Sequence, residues 1–186
     1  MRPDNEVLRT IQERRSAAGF CETPVPKDHL KAVLEAGRWA PSYLNSQPWH
    51  FIVVTDQGLR KQMAEVVRET TVIWRGVAEA PVVIAVVTDA EQDALHYVED
   101  GAVAAQNMAL AARSIGLSSY WVGIHRPNRP RWSAEKQLKK MLHIPKSLHV
   151  IAVLPLGYAG RERKALRKDL DAVVFSDYFG RRGLPR

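Results

Sequence analysis

The most informative stretch of the sequence is Ala40-Pro41-Ser42-Tyr43-Leu44-Asn45-Ser46-Gln47-Pro48-Trp49, between an amphipathic segment, 27–38, and an apolar run, 50–55. Each proline disfavours helical geometry at the residue before it, so the backbone of this stretch is extended or turned. The serine, asparagine and glutamine side chains between the prolines both donate and accept hydrogen bonds. Two interpretations follow: a loop that contacts the edge of a flat heterocycle, or a capped helix-to-strand connection followed by a buried tryptophan.

Helices and strands alternate on both sides of this stretch. Asp4 or Asn5 can cap a first helix that runs toward Arg14, and apolar residues at helical spacing predict a second helix that includes Gly37. The later patterns predict helices at 58–69, 98–115 and 134–142, and strands at 50–55, 81–88, 118–124 and 149–156. The segment 70–79 has no clear pattern. By itself, this alternation predicts a doubly wound parallel sheet.

The sequence lacks several motifs that would assign a chemistry. It contains no Gly-x-Gly-x-x-Gly after the first predicted strand and no Gly-x-x-x-x-Gly-Lys, so the nucleotide sites of those kinds are unsupported. It contains no Gly-x-Ser-x-Gly, and Cys21 has no basic neighbour in the sequence that would activate its thiol. The six histidines include no His-x-x-x-His pair, so a metal site would have to be assembled at long range, and we expect none.

The composition is that of an ordinary globular protein. With 186 residues, 46% of them hydrophobic and 25% charged, the chain is predicted to form one domain over 1–186. No run approaches the roughly 20 apolar residues of a membrane span, and the N-terminus lacks the apolar core of a signal peptide. Cys21 is the single cysteine, which excludes an intrachain disulfide. These features predict a cytoplasmic protein without a membrane segment.

The predicted helix 98–115 is rich in alanine and is apolar on most of its surface. We therefore expect it to be buried nearly all round. Its small residues would let a helix of another subunit approach closely, so a contact between subunits is predicted here.

The net charge of +7 and the pI near 9.8 indicate an anionic partner. Much of the excess lies near the C-terminus, at Arg161, Arg163, Lys164, Arg167, Lys168, Arg181, Arg182 and Arg186. A phosphorylated cofactor, nucleic acid and a simply solvated basic surface all fit this excess. Nucleic acid is disfavoured because aromatic residues are few and the five tryptophans are not interleaved with the basic cluster.

Arg14-Arg15-Ser16 closes the first predicted helix. Arginine presents a fork of donors that matches phosphate geometry, and a serine hydroxyl can add a further hydrogen bond. Cations at a helix C-terminus are also favourable through the helix dipole alone, by some tenths of a kcal/mol. Phosphate binding and helix termination therefore both explain this motif.

Local structure explains each of several segments taken alone, but it does not explain the order and spacing in which they occur. They are Arg14-Arg15-Ser16 with Phe20, Pro24-Val25-Pro26, the stretch 40–49, Asp100-Gly101 to Gln106-Asn107, Leu110-Ala111-Ala112, Ile115-Gly116-Leu117, Trp121-Val122-Gly123, Leu156-Gly157-Tyr158 and Arg167-Lys168. Together they resemble the FMN-dependent nitroreductase family over nearly the whole chain. The block from Pro41-Ser42 to Gln47-Pro48-Trp49 is fairly specific, whereas the arginine-serine motif is weak alone.

The resemblance implies an α+β fold with a central, mostly antiparallel sheet flanked by helices, in an intertwined homodimer with FMN at each of two subunit interfaces. The FMN phosphate and ribityl chain would be held by Arg14, Arg15, Ser16 and Arg167. The partner subunit would present to the flavin ring Pro41, Ser42, Tyr43 and Asn45. Gln47 would bind there too, or instead hold this loop in shape. Val122 and Gly123 would pack near the ring, and Leu156 and Gly157 near the ribityl chain. A C-terminal tail, 175–186, would reach the partner.

The activity implied is that of an FMN-dependent oxidoreductase, in which NADH or NADPH passes hydride through flavin N5 to a nitroaromatic, quinone or similar small acceptor. No side chain need act as acid or base. The alternatives are a dehalogenating or flavin-fragmenting enzyme of the same family, and a flavin-free nucleic-acid-binding protein. The family often has an arginine where this chain has Ala18, so Arg163 or Lys164 is a candidate substitute at the phosphate. Residues 70–79 fall where the substrate cover varies in the family, so neither the acceptor nor the preferred nicotinamide nucleotide is predicted.

Overall fold

The computed structural model describes residues 5–125, 134–162 and 166–184. The strands are β1 (Ala17–Phe20), β2 (Trp49–Val54), β3 (Val82–Asp89), β4 (Ser118–Ser119), β5 (Val122–Gly123), β6 (Leu148–Gly157) and β7 (Ala159–Glu162). The helices are α1 (Glu6–Glu13), α2 (Lys27–Arg38), α3 (Gln57–Val67), α4 (Arg75–Glu79), α5 (Tyr97–Ser114) and α6 (Ala134–Met141), with 3₁₀ turns at Tyr43–Asn45 and Leu170–Ala172. A five-stranded sheet in the order β2–β3–β6–β4, with β5 also paired to β6, forms the centre.

Every pairing within the central sheet is antiparallel, so the parallel sheet predicted from the alternation of elements is wrong. The reason lies in β3, which is buried at every position from Val82 to Thr88. Val83, Ala85 and Val87 belong to a hydrophobic cluster with α3 and α4. Val82, Ile84 and Val86 belong to a second cluster with α2 and α5. Because helices cover both faces, this antiparallel strand has the continuous apolar run that is typical of a parallel one.

Helix α5 lies between α2 and the central sheet. A Cβ at Gly37 would overlap the Met108 side chain, so this glycine permits the close approach of α2 to α5. The amide of Asn107 fixes the same contact, because Nδ2 donates to the carbonyl oxygen of Ala36 at 3.2 Å. Within this chain α5 is buried along one face only, since Val103 and Gln106 are exposed. The prediction of burial nearly all round is therefore wrong for a single chain.

Elements with strong local periodicity lie within about two residues of their predicted bounds. Asn5 caps α1 as predicted, because Oδ1 accepts from the N–H of Val7 at 2.8 Å. Trp49 is buried as expected. The segment 70–79 consists of a turn followed by α4, and 118–124 forms two short strands, β4 and β5, where one was predicted.

The small sheet of β1 and β7 was not predicted. These two strands pair antiparallel with an irregular register, and they join residues far apart in sequence. Each strand has four residues, too few to show a periodicity. The antiparallel register places Phe20, the last residue of β1, opposite Ala159, just after the end of β6.

No helix in the described parts of the chain combines the length and the apolar composition needed to cross a membrane.

Candidate functional site

A cavity of about 140 Å³ lies between α5, β4 and the connection from α1 to β1. We call it the arginine cavity. It is lined by Arg14, Ser16, Ala102, Ala105, Gln106, Ala109, Ser119, Tyr120, Trp121 and Leu154. The fold thus brings two residues of the predicted phosphate motif to the alanine-rich helix.

Arg14 is a partly buried cation with other cations near it. Burial lowers the pKa of its guanidinium, and the positive charges of Arg167 and Arg15 lower that pKa further. Among the side chains that the structure describes, no carboxylate forms an ion pair with Arg14. A desolvated cation beside two like charges is stabilised by a bound anion. On electrostatic grounds, the arginine cavity is therefore a candidate anion site.

The other two arginines use their guanidinium groups differently. Nη1 of Arg15 donates to the carbonyl oxygens of Gln12, at 2.5 Å, and Arg14, at 2.9 Å, where α1 ends. Arg15 therefore satisfies carbonyls that a helix C-terminus leaves without partners. Arg167 is exposed, and its Nη1 donates to the carbonyl oxygen of Leu166 at 3.0 Å. Its nearness to Arg14 joins the C-terminal part of the chain to the arginine cavity.

Ser16 is positioned by the backbone of β4. It forms a parallel bridge with Ser119, and Ser119 in turn pairs with Leu156 of β6. The end of α1 is thereby fixed to the central sheet. This link explains why Arg14 and Ser16 occupy the same cavity.

The predicted ring-contacting residues lie in a different place, in a compact loop that we call the proline loop, residues 41–48. Leu44, Asn45 and Gln47 have φ angles of 47°, 58° and 48°, in the left-handed region that is costly for residues with a side chain. Internal hydrogen bonds hold this shape: Oγ of Ser42 accepts from the N–H of Gln47 at 2.9 Å, and Nε2 of Gln47 donates to the carbonyl oxygen of Asn45 at 3.4 Å. Gln47 thus contributes to the shape of the loop.

Asp100, in the first turn of α5, connects the proline loop to the helix. The N–H of Tyr43 lies 3.3 and 3.4 Å from its two carboxylate oxygens, and the Ser46 hydroxyl donates to Oδ2 at 3.4 Å. Burial raises the pKa of Asp100, partly offset by the Tyr43 N–H, and the nearby Asp93 raises it further. The Tyr43 ring stacks on His96 at a centroid distance of 4.2 Å. The loop is therefore attached to α5 by a carboxyl group whose pKa burial raises.

The remaining predicted residues lie at strand ends in the central sheet. The Val122 and Leu156 side chains are buried in the two hydrophobic clusters, so they face the protein core. A Cβ at Gly123 would lie 2.9 Å from Nε1 of Trp121, and one at Gly157 would lie 2.6 Å from Cδ of Pro81. Each glycine thus admits a neighbouring side chain of this chain.

The structure separates the predicted residues into two sets that both border α5. Arg14 and Ser16 line the arginine cavity and Arg167 places its charge near Arg14, whereas no residue of the proline loop lines the cavity. Asp100, which holds the loop, precedes Gln106 of the cavity by six residues, about 9 Å along a helix. Arg163 and Lys164, the candidate substitutes at the phosphate, lie outside the described residues.

Four polar or aromatic residues of the cavity were not predicted as site residues: Gln106, Ser119, Tyr120 and Trp121. Gln106 and Trp121 fall within the segments that carry the family resemblance, and this was the available signal. Ser119 had no signal of its own, because its place in the cavity depends on the long-range bridge to Ser16.

Comparison with known proteins identifies the family. The model of the nitroreductase family matches residues 11–73 and 68–158. A protein of Archaeoglobus fulgidus, provisionally named NADH dehydrogenase/NAD(P)H nitroreductase, is 33% identical over 167 residues, which cover 88% of this chain and 91% of the relative.

Solved structures agree. An FMN-dependent nitroreductase from Clostridium difficile superposes with a TM-score of 0.83 at 26% identity, over 92% of this chain and 99% of the other. A Desulfovibrio desulfuricans protein, provisionally described as a nitroreductase in complex with FMN, gives a TM-score of 0.78 at 28% identity, over 95% and 99% of the two chains. The chain therefore belongs to the nitroreductase family and has its α+β fold.

Proposed function

We propose that this chain is an FMN-dependent oxidoreductase that uses NADH or NADPH to reduce a small acceptor such as a nitroaromatic or a quinone. Family membership supports the reaction class, and relatives described as FMN-dependent or FMN-bound support the cofactor. The observation that carries the proposal is the state of Arg14, a partly buried cation beside Arg15 and Arg167, without a carboxylate among the described side chains.

The residues of the arginine cavity fit the phosphate end of FMN. Arg14 offers charge-assisted hydrogen bonds to phosphate oxygens, and the Ser16 hydroxyl beside it can donate another. Arg167 adds a second positive charge from the C-terminal side. A phosphate dianion here would relieve the repulsion among the three arginines. These residues therefore bind and orient the cofactor rather than take part in the chemistry.

When bound, FMN supplies the hydride-transfer chemistry, accepting hydride from the nicotinamide nucleotide and delivering it to the acceptor. The contribution of the chain is orientation. The proline loop presents neutral groups on a backbone held by Ser42 and Asp100, so it can offer hydrogen bonds to the ring edge without adding a charge. Trp121, about half exposed at the cavity, offers an aromatic face to a flat ligand or substrate.

We further propose that the site is composite, with the arginine cavity from one protomer and the proline loop from the partner. The cavity of about 140 Å³ is smaller than the roughly 300–1,000 Å³ of typical cofactor pockets. The proline loop lies outside that cavity, although the family resemblance assigns both to FMN. A second copy of the chain that brings its proline loop to the cavity would both enlarge the site and place the loop beside the arginines.

The surface of the single chain supports a homodimer. Its accessible area is 12008 Å², against about 9,000 Å² for a folded monomer of 20.9 kDa. Large apolar residues are exposed along α1 at Val7 and Ile11, at the tip of the proline loop at Leu44, and in the C-terminal part at Leu166 and Phe179, the last two more than nine-tenths exposed. A second copy of the chain that covers these side chains would remove this apolar area from water.

The C-terminal tail is proposed to reach the partner, within a single domain that spans 1–186. Its described part forms a small unit of its own, in which the Phe175 and Phe179 rings pack at 4.5 Å and the N–H of Ser176 donates to the carbonyl oxygen of Arg181 at 2.7 Å. A turn that is held by its own contacts and exposes a phenylalanine is suited to docking on another surface.

The proposal is tested by the visible spectrum of the purified protein. We expect a flavin spectrum, after incubation with FMN if needed, that bleaches anaerobically when NADH or NADPH is added and recovers with an acceptor. A panel containing a nitroaromatic, a quinone and a halophenol then separates general reduction from dehalogenation. A protein that stays colourless in excess FMN would contradict the proposal.

A further inference from the structure

A cluster of ring and carboxylate side chains lies away from the arginine cavity. It comprises His125, just after β5, Glu135 in the first turn of α6, and His149 near the start of β6. Nδ1 of His125 lies 3.1 Å from Oε2 of Glu135, and Nδ1 of His149 lies 3.1 Å from Oε1. We call these three residues the histidine cluster. One carboxylate thus bridges two imidazoles from different parts of the chain.

The histidine cluster is distinct from the proposed FMN site. His149 pairs with Thr88 across the sheet, whereas Leu154, which lines the arginine cavity, pairs with Ile84. The five residues from His149 to Leu154 span about 17 Å along a strand. The two sites therefore lie toward opposite ends of β6.

The spacing of the ligand atoms suits a tetrahedral ion. One ligand atom from each of the three residues lies within 4.8 Å of the other two. Metal bonds of about 2.0–2.2 Å separate the ligand atoms of tetrahedral zinc by about 3.3 Å. Each nitrogen lies 3.1 Å from a different oxygen of the Glu135 carboxylate, close to that value. Because the three ligand atoms spread over as much as 4.8 Å, the side chains must draw together by about 1 Å around an ion.

Neighbouring groups orient the ligands from outside. The Tyr97 hydroxyl lies 3.2 Å from Nε2 of His125, where it can accept an N–H and leave Nδ1 free to coordinate. The backbone N–H of Val150 donates to Oε1 of Glu135 at 3.2 Å. Outer hydrogen bonds of this kind fix the tautomer and the direction of metal ligands.

Burial in the cluster is partial. The His125 side chain is 7% exposed, and those of Glu135 and His149 are 20% and 29% exposed. A rigid inner ligand beside two more accessible ones leaves a path by which an ion can enter. Two imidazoles, one carboxylate and an open fourth position for water form a ligand set that zinc and related transition metals accept.

We propose that His125, Glu135 and His149 bind one divalent transition-metal ion, with Zn²⁺ the fitting ion and Co²⁺ its spectroscopic substitute. The sequence predicted no metal site, because the three ligands lie on separate elements and have no motif spacing. The bound ion joins α6 to the start of β6 and to the end of β5. In its absence, Glu135 can accept hydrogen bonds from both imidazoles in their Nδ1–H tautomers, and the Tyr97 hydroxyl then donates to Nε2 of His125.

The test is a Co²⁺ titration of the full-length protein after chelator treatment and dialysis. We expect a tetrahedral Co²⁺ absorption that saturates at one ion per chain and is displaced by Zn²⁺. Glu135→Gln and His149→Ala should each weaken binding about 100-fold or more, and Tyr97→Phe, which keeps all three ligands, about 10-fold. His50→Ala, at an exposed histidine on β2, is the control and should bind as the parent does.

Either of two results would overturn the proposal. One is a parent protein that develops no tetrahedral Co²⁺ spectrum and keeps no Zn²⁺ after dialysis. The other is binding that Glu135→Gln and Tyr97→Phe leave unchanged, which would place the ion elsewhere on the surface. Circular dichroism of each variant ensures that lost binding is read only from folded protein.

Discussion

The arginine cavity and the proline loop are both supported by α5, but they are stabilised in different ways. The cavity places Arg14 near two like charges and provides no described carboxylate, so its electrostatics are unfavourable until an anion binds. The loop holds three residues in left-handed geometry, and it is held by the hydrogen bond from the Gln47 N–H to Ser42 and by the contacts of Tyr43 and Ser46 with Asp100. We therefore infer that the cavity is suited to bind a charged ligand, whereas the contacts of the loop maintain its conformation. Substitutions in the first should alter binding, and substitutions in the second should alter stability.

The largest effect is expected for Arg14→Ala. Loss of charge-assisted hydrogen bonds of about 1.5–3 kcal/mol should weaken FMN binding by about 10- to 100-fold while the melting temperature changes little. Fluorescence titration of the apoprotein with FMN measures the affinity. Arg15→Ala is the matched control, because that guanidinium already donates to two helix carbonyls, and we expect a smaller loss. An equal or larger loss for Arg15→Ala would remove the distinction between the two arginines.

The proline loop should respond in the opposite way to Asp100→Ala. Removing the carboxyl leaves the Tyr43 N–H and the Ser46 hydroxyl without their acceptor, which should lower the free energy of unfolding by about 1–3 kcal/mol. Chemical denaturation measures this change. Asp100→Asn keeps an acceptor and should cost less. If Asp100→Ala unfolds at the parent's denaturant concentration, the loop does not depend on this contact.

The charge of Asp100 also predicts a pH dependence. Because burial raises its pKa in the folded state, the folded protein binds this proton more tightly than the unfolded chain does. The stabilisation is complete below the unfolded pKa of about 4 and decreases as pH rises through the raised value. The stability of the parent relative to Asp100→Asn should therefore fall with rising pH across that range. A rise would contradict the raised pKa.

The dependence of flavin affinity on salt should distinguish binding at the arginine cavity from binding at the proline loop. Exposed charge interactions are screened over about 8–10 Å near physiological ionic strength, so FMN affinity should fall several-fold as salt is raised. Riboflavin, which lacks the phosphate, should bind more weakly and show little salt dependence. Equal salt dependence for both flavins would mean that the arginines do not contact the phosphate.

The smallest effect is expected for Ser42→Ala. It removes the acceptor for the Gln47 N–H but leaves the Asp100 contacts, so we expect a loss of about 1 kcal/mol of stability and little change in FMN affinity. Ser46→Ala is a suitable control, since its hydroxyl makes a longer contact of 3.4 Å. A large loss of FMN with unchanged stability would mean that Ser42 contacts the cofactor directly.

The sequence predicted those parts of the molecule whose signals are local. Helix α2, the proline loop and β2 follow one another with clear periodicity and two prolines, and the structure has them within about two residues of the predicted bounds. The relative direction of the strands had no local sequence signal. A strand covered by helices on both faces, such as β3, is apolar throughout in a parallel or an antiparallel sheet. The small β1–β7 sheet was missed for the related reason that its strands are short and pair at long range.

The residues of the candidate site show the same difference between local and long-range signals. Arg14 and Ser16 were accessible to motif reasoning, whereas Ser119 and the histidine cluster depend on pairings that no short spacing encodes. Gly123 and Gly157 were expected near the flavin ring and the ribityl chain. The structure shows that each also accommodates a neighbouring side chain, Trp121 or Pro81, and their contact with FMN stays a prediction. The dimer, the reach of the tail and the cytoplasmic location stay predictions.

The central claim is that one FMN contacts the arginine cavity of one protomer and the proline loop of its partner. Complementation between Arg14→Ala and Ser42→Trp, two variants designed to lose FMN by different means, tests it most directly. In a composite site, a mixed dimer has one doubly altered site and one intact site, so co-expression in equal amounts should restore about a quarter of the parent's bound FMN. If both parts belonged to one chain, every site in the mixture would carry a substitution, and no FMN would return.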